Sequence, residues 1–321
     1  MIQDYALKTS GIQIIVNPTA GSGKARQIAD SLLPEIRRIS DSNINLIFTK
    51  GKDDATFIAR DAIIKGASMI IAVGGDGTVN EIVNGFFIEN KPINPLCDLG
   101  IISCGTGRGI GGGFKLPRSI NQQVNLIIHS KSIPVDVGRI SYYDNSGKPS
   151  ERLFINECQT GIGSKVASTV GKKQKILGGT VAFGLTSTIQ VLMLKPQSLS
   201  IRFDDEPAGK FKLIGVVAGN GTECAGGMKL TPDAKIDDGL FDVLLMHEMN
   251  VIKRLFNLTR VYSGSHILSP YFSIKRCKRL IITSDTKINI EADGEVLGFS
   301  PFCIEIIPAS IRIKTGFNYT D

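Results

Sequence analysis

Apolar runs alternate with stretches of helical periodicity over the first 136 residues. The segment 55–63, for example, places apolar residues at positions i, i+3, i+4, i+7 and i+8, which is the spacing of an amphipathic helix. Strands are predicted at 11–18, 43–49, 68–75 and 99–105. Repeated strand–helix–strand units favour an α/β domain with an open, mainly parallel sheet and helices on both faces.

The pattern changes after Asp136. Short strand-like pieces separated by turn residues dominate the remaining sequence, which predicts a mainly antiparallel β-sandwich. Helical stretches interrupt it at about 164–194 and about 249–263. The chain of 321 residues is about twice the length of a common domain. We therefore predict an α/β domain over 1–136 and a β-rich domain over 137–304, with a tail at about 305–321 that can pack back on the first.

Composition and charge indicate which kinds of partner and site to expect. The formal net charge is +7, which favours an anionic partner. Aromatic residues make up only 7% and Trp is absent, so platforms for stacking bases would be thin and no nucleic-acid partner is expected. The three histidines are scattered and no cysteines form a C-x-x-C pair. The sequence shows no targeting segment and no apolar membrane span, and we predict a cytoplasmic protein.

The strongest local feature is the segment 73–81, VGGDGTVNE, which joins an apolar strand to a predicted helix. Its glycines allow close approach of a ligand, and the N–H groups of a helix N-terminus face such a ligand, which is an arrangement that binds phosphate. Asp76 adds a carboxylate suited to Mg²⁺ or to a nucleotide group. The alternative is a tight turn in which Asp76 caps the helix. The intact Gly-Gly-Asp-Gly-Thr favours phosphate binding.

The longer segment GGDGTVNEIVNG resembles the signature of the diacylglycerol kinase catalytic-domain family, which includes bacterial lipid kinases, sphingosine kinases and ceramide kinases. GGDGT alone is also shared with NAD kinases. Further segments extend the resemblance from residue 17 to residue 295: NPTAG at 17–21, the run 220–240 with GGMKLTPDAKIDDGL, and ADGE at 292–295. The later segments resemble lipid kinases rather than NAD kinases, and the resemblance implies an NAD-kinase-like fold for the first domain.

The resemblance also implies roles for individual residues. Asp293 would be the general base that takes the proton of a lipid hydroxyl, Glu295 would support it, and Asp76 would help to place Mg-ATP. Without the resemblance, the pair Asp293-Gly294 predicts a hairpin turn. The two interpretations are compatible, because a turn can present a catalytic Asp. The residues implied to surround ATP are Asn17, Pro18, Thr19, Ala20, Gly21, Thr49, Gly74, Gly75, Asp76, Gly77, Thr78, Val79, Asn80 and Thr106.

A second metal position is implied at Lys235, Asp238 and Leu240. Asp238 would give a side-chain oxygen and the other two would give backbone carbonyls, which are ligands that Mg²⁺ accepts. The role of this metal would be structural. Without the resemblance, the same residues predict an acidic turn.

The sequence departs from the family pattern after the strand at 99–105. Members commonly carry Asn, Asp and, further on, Arg where this chain has Arg108, Gly109 and Gly112. The change removes a carboxylate and adds backbone freedom. Arg108 could instead bind a phosphate or a lipid headgroup.

The resemblance implies a kinase that uses ATP and Mg²⁺ to transfer the γ-phosphoryl group to the hydroxyl of a membrane lipid, diacylglycerol or a sphingoid lipid. The alternatives are an NAD kinase-like small-molecule kinase and a catalytically impaired lipid- or nucleotide-binding protein. We expect transient peripheral membrane contact, and a homodimer is left open. Lys165, Lys172, Lys173 and Lys175 precede an apolar run and suit either an anionic bilayer or a solvated turn.

Overall fold

The computed structural model describes residues 11–39, 43–105, 108–161 and 195–318. The chain divides into two compact units, one comprising Met1–Val135 with Ala309–Asp321 and the other comprising Asp136–Pro308. The lysines at 165, 172, 173 and 175, the predicted helix at about 164–194 and Thr106 lie outside the described residues. Among the described residues, no helix is both long enough and apolar enough to cross a membrane.

The first unit alternates strands with helices. Its elements are β1 (Gly11–Val16), α1 (Lys24–Ile39), β2 (Ile44–Phe48), α2 (Asp54–Ile64), β3 (Ala67–Gly74), α3 (Asp76–Gly85), β4 (Phe87–Ile88), β5 (Lys91–Pro92), β6 (Asp98–Ser103), α4 (Gly109–Gly113) and α5 (Ile120–His129). The sheet order is β6–β3–β1–β2, and each of these pairings is parallel. Beyond β6, Arg312 and Ile313 pair in parallel with Asp98 and Leu99, so residues near the C-terminus complete this sheet.

The helices of the first unit bury apolar stripes. In α1 the buried positions are Ala25, Ala29, Leu32 and Ile36, which recur at helical spacing and pack with α5 against β1 and β3. The end of β3 is buried throughout, as expected for a central strand of a parallel sheet that helices cover.

The second unit is rich in strands. Its elements are β7 (Ile133–Tyr143, of which residues 133–135 belong to the first unit), β8 (Pro149–Phe154), β9 (Glu157–Thr160), β10 (Gln197–Phe203), β11 (Gly209–Gly219), β12 (Phe241–His247), α6 (Val251–Ser263), β13 (Phe272–Cys277), β14 (Arg279–Ser284), β15 (Asn289–Ala292) and β16 (Glu295–Ile313, which ends in the first unit). Among the described strands, β9, β11, β10, β14, β16 and β15 pair in a closed antiparallel ring. The expected sandwich therefore takes the form of a ring without a free edge at these strands.

Closure of the ring gives the second unit its core. Phe154 and Phe241 stack inside it with ring centroids 5.7 Å apart. Apolar residues of the ring strands surround this pair, including Ile201, Ile290 and Phe302, which are all buried. An aromatic pair of this kind stabilises the fold beyond the area that it buries.

Candidate active site

The residues predicted to surround a nucleotide lie at the carboxyl edge of the sheet in the first unit. Asn17 follows β1, Thr49 follows β2, and Cys104 follows β6. Backbone hydrogen bonds tie these ends together: Asn17 N–H donates to Val73 O at 3.0 Å, Thr49 N–H to Val16 O at 2.8 Å, and Cys104 N–H to Gly74 O at 2.8 Å. Open α/β sheets bind ligands at this edge.

Glycine is required where the loops at this edge approach each other. Gly21 has φ +59°, and a Cβ built on it would lie 2.7 Å from the carbonyl oxygen of Cys104. A Cβ on Gly105 would lie 3.0 Å from Cα of Gly75. The 17–21 loop, the Gly-Gly turn before α3 and the end of β6 are therefore packed backbone against backbone.

Polar side chains link the first loop to α3. The side chain of Asn17 donates through Nδ2 to Oγ1 of Thr78 at 3.1 Å. Oδ1 of Asn17 accepts from the Thr19 N–H at 3.1 Å and from the Thr19 hydroxyl at 2.8 Å. Val79 and Asn80 are buried inside the unit, so they shape the helix rather than an open surface. The first loop is thus held beside the N-terminus of α3, whose N–H groups suit phosphate oxygens.

The carboxylate of Asp76 caps α4, which lies in the segment that departs from the family pattern. Oδ2 of Asp76 accepts from the Gly109 N–H at 2.9 Å, and Oδ1 accepts from the Ile110 N–H at 3.4 Å. These donors open α4, where a carboxylate is favourable. Burial raises the pKa of Asp76, and the two N–H donors oppose that rise.

Arg108 also acts within this loop. Its Nη2 donates to the carbonyls of Leu116 at 3.1 Å and Pro117 at 3.2 Å, and its backbone is left-handed with φ +50°. The guanidinium therefore holds the chain after α4, which gives it a local structural role.

The second unit fixes Asp293 in a tight turn. Asp293 and Gly294, with φ of +46° and +89°, join β15 to β16, and positive φ at both central residues is the geometry of a type I′ hairpin turn. The backbone N–H groups of Ile155, Asn156 and Glu157 donate to its carboxylate at 2.9, 3.0 and 3.1 Å. The Asp293 N–H in turn donates to Glu157 O at 3.0 Å. These hydrogen bonds fix both the backbone turn and the orientation of the Asp293 carboxylate.

Asn220 holds the segment that grips Asp293. This fully buried residue donates through Nδ2 to Ile155 O at 2.7 Å and to Asp136 O at 3.0 Å. Its own N–H donates to Asn156 O at 2.8 Å. The Asn-Gly pair at 220–221 therefore acts on Asp293 through the 155–157 backbone.

A second buried carboxylate, which the sequence did not reveal, stands beside Asp293. Oε1 of Glu291 accepts from the N–H of Gly294, and Oε2 accepts from Nε2 of Gln159 at 2.5 Å. Gln159 lies directly opposite Glu291 on β9. Burial raises the pKa of Glu291 from 4.5 to about 7, the two hydrogen bonds lower it, and the neighbouring Asp293 charge raises it further.

Stability should depend on pH through Glu291. Because its pKa is raised in the folded state, its contribution to stability is fully present below pH 4.5 and is lost as pH rises through about 7. We expect Glu291→Gln to remove this dependence, so that between pH 4.5 and about pH 7 its free energy of unfolding falls by on the order of 3 kcal/mol less than that of the wild type. Urea unfolding of both proteins at a series of pH values measures the difference. A difference between them that does not change with pH would contradict the assignment of the proton to Glu291.

Glu295 and the predicted metal residues have other partners. Glu295 forms an ion pair with Arg152 on β8 at 3.4 Å. The carboxylate of Asp238 pairs with the guanidinium of Arg276, and its Oδ1 accepts from the Leu240 N–H at 3.1 Å. Lys235 lies in the same loop before β12.

The Asp238 carboxylate faces a guanidinium and an N–H group in this structure, and the magnesium site expected at Lys235, Asp238 and Leu240 stays a prediction. Among the described residues, no group of three His, Cys, Asp or Glu side chains is placed to hold a metal.

Comparison with known proteins decides the family. Residues 12–140 match the diacylglycerol kinase catalytic domain, and residues 156–315 match the YegS C-terminal NAD kinase beta sandwich-like domain. A diacylglycerol kinase of Staphylococcus haemolyticus is 30% identical over 289 residues, covering 90% of this chain and 83% of that protein. The chain belongs to the diacylglycerol kinase family. Membership confirms the resemblance that the motifs indicate, and it makes the chain an enzyme of the lipid-kinase class.

Solved structures share the fold. A Bacillus anthracis protein provisionally named a diacylglycerol kinase aligns over 100% of both chains with a TM-score of 0.78 and 22% identity. A yeast NADH kinase aligns over 95% of this chain and 83% of its own, with a TM-score of 0.52 and 13% identity. These likenesses confirm the two-domain, NAD-kinase-like architecture with a β-rich C-terminal part.

Proposed function

We propose that this chain transfers the γ-phosphoryl group of ATP to the hydroxyl of a membrane lipid, with diacylglycerol as the first candidate and a sphingoid lipid as the second. The observation that carries the proposal is the arrangement at Asp293. A carboxylate fixed by backbone donors in a hairpin turn is a preorganised group, as general-base catalysis requires. The name of the Staphylococcus haemolyticus relative points to the same acceptor.

The first unit binds the nucleotide in this proposal. The N-terminus of α3 places N–H groups at the edge of the sheet, beside the Asn17–Thr19 loop. Phosphate oxygens accept such donors, and the positive end of the helix dipole favours their charge. Asp76 contributes by capping α4.

The chemical step is a displacement at phosphorus. The lipid hydroxyl oxygen forms a bond to the γ-phosphorus, the bond from that phosphorus to the bridging oxygen breaks, and ADP leaves with the electron pair. The hydroxyl proton passes to Asp293 as the new bond forms. Glu291 and the Asn220-held backbone keep the Asp293 turn in place. A requirement for Mg²⁺ remains a prediction, which chelation with EDTA in the same assay tests.

A small-molecule kinase is the second candidate, favoured by the fold shared with the yeast NADH kinase. Purified protein and ATP are offered diacylglycerol, sphingosine, ceramide and NAD in parallel, and the phosphorylated product is quantified for each. We expect diacylglycerol to give the highest kcat/KM and NAD to give no product. NADP formation without lipid phosphorylation would overturn the proposal.

A further inference from the structure

Helix α6 buries two polar residues and exposes several large apolar ones. The buried positions of the helix are Arg254, Asn257 and Val261. The guanidinium of Arg254 donates through Nε to Met249 O at 3.0 Å, and Asn257 donates through Nδ2 to Lys253 O at 2.9 Å. Two of the three buried positions of the helix are thus polar, whereas an ordinary surface helix buries an apolar stripe.

The outer face of α6 presents large apolar side chains to solvent. Ile252 is 78% exposed and Phe256 is 64% exposed, and they lie four residues apart on one face. Leu255 and Tyr262 are also exposed, and Leu268 in the short helix that follows is 78% exposed. Large exposed apolar side chains gathered on one helix and the short helix after it are typical of an interaction surface. We call these five residues the α6 patch.

The stretch of sequence that carries the patch contains basic residues and no acidic ones. No Asp or Glu occurs in the sequence between Glu248 and Asp285. The guanidinium of Arg260 lies 5.6 Å from the centroid of the Phe256 ring, and Nζ of Lys253 lies 4.5 Å from the centroid of the Tyr271 ring. Cations carried beside exposed apolar side chains suit a surface that is apolar inside and negatively charged outside.

We propose that the α6 patch docks this protein on the surface of an anionic lipid bilayer. The helix has 13 residues and is thus far too short to span a bilayer, so it would lie in the plane of the interface. Ile252, Phe256 and Leu268 would enter the headgroup region, while Lys253 and Arg260 would meet lipid phosphates. The docking claim concerns binding alone, and its use in catalysis rests on the proposed function.

The test is sedimentation of full-length protein with vesicles. Vesicles of phosphatidylglycerol and phosphatidylcholine are compared with vesicles of phosphatidylcholine alone, for wild type and the double variant Ile252→Asp, Phe256→Asp. We expect the double variant to bind anionic vesicles at least about tenfold more weakly, because two apolar anchors are lost and two negative charges are gained. Phe57→Asp is the matched control, since Phe57 is also 64% exposed but lies on α2. The control should bind like wild type.

Equal binding by the double variant, or equal loss in Phe57→Asp, would overturn the proposal. A second copy of the chain is the competing occupant of the patch. In that case the double variant would shift the protein from dimer to monomer in analytical ultracentrifugation while vesicle binding stayed unchanged, and the proposal would also fall.

Failure of docking and failure of the proposed function give different results. Wild type that binds anionic vesicles but phosphorylates no lipid would support docking and contradict the kinase proposal. Wild type that phosphorylates a short-chain diacylglycerol in solution but binds no vesicles would support the kinase proposal and contradict docking. If both proposals hold, the double variant should keep activity on the short-chain substrate and lose it on long-chain diacylglycerol in vesicles.

Discussion

Asp293→Asn should lower kcat for lipid phosphorylation by roughly two to four orders of magnitude, the usual contribution of a general base. The amide cannot take the proton of the lipid hydroxyl, although it has nearly the shape of the carboxylate. Binding of the nucleotide should be unchanged, because the residues proposed for it belong to the first unit. Steady-state kinetics with diacylglycerol, together with calorimetric titration of a non-hydrolysable ATP analogue, measures both quantities.

The substitution also has a structural effect that must be separated from catalysis. An amide at 293 keeps one oxygen for N–H donors but places an NH₂ group against another, where the Ile155 N–H now meets Oδ2 at 2.9 Å. Opposing donors in a buried site destabilise by about 1–3 kcal/mol. Assays are therefore run well below the melting temperature of the variant.

The chain supplies a matched control for this effect. Asp204 has φ +47°, and its Oδ1 accepts from the N–H groups of Lys278 and Arg279, both at 2.9 Å. Asp204→Ala therefore removes the acceptor of two N–H groups at a similar turn without touching the proposed base. Near-normal turnover in Asp293→Asn, or an equal loss in Asp204→Ala, would contradict the role of Asp293 as base.

Gly21→Ala should weaken ATP binding by at least about tenfold. The new Cβ would lie 2.7 Å from the Cys104 carbonyl oxygen, and at φ +59° the backbone is strained for any L side chain. The 17–21 loop would have to move away from the end of β6, which separates the groups proposed to bind phosphate. Titration of the ATP analogue gives the change in Kd.

Gly23→Ala is the control for backbone strain. Gly23 also has a positive φ, +89°, but nothing lies within 4 Å of a Cβ built on it. The Gly23→Ala variant should lose some stability but bind the ATP analogue almost as tightly as the wild type. Equal affinity in Gly21→Ala and wild type would show that the packing of these loops does not determine nucleotide binding.

The sequence predicts the first unit well because its signals are local. Strand β3 is a continuous apolar run that ends in Gly-Gly, and α1 repeats apolar residues at helical spacing. The carboxyl edge of the sheet follows directly from the parallel order. By contrast, the parallel pairing of Arg312 with Asp98 joins distant parts of the chain, and no local pattern specifies it.

Glu291 shows why part of the site could not be predicted. Strand alternation places Ile290 and Glu291 on opposite faces, so a single-sheet interpretation would send one of them to solvent. Both are nevertheless buried, Ile290 in the core of the second unit and Glu291 on the opposite face of the strand. Burial of this carboxylate therefore depends on the parts of the chain that cover this face of β15, which no pattern within the strand specifies.

The departures at Arg108 and Gly109 have a local explanation in the structure. Asp76 receives the N–H of Gly109, and Arg108 binds the carbonyls of Leu116 and Pro117. The motif alone left Asp76 open between a phosphate-site acid and a cap of the helix that follows its own turn. The hydrogen bonds show that its carboxylate instead caps α4, which is compatible with phosphate binding by the turn.

Transfer of phosphate from γ-labelled ATP to a total lipid extract tests the central claim most directly. Wild-type protein should produce a labelled lipid that co-migrates with phosphatidic acid, and the Asp293→Asn protein should not. A folded, ATP-binding wild-type protein that labels no lipid in the presence of Mg²⁺ would contradict the assignment as a lipid kinase.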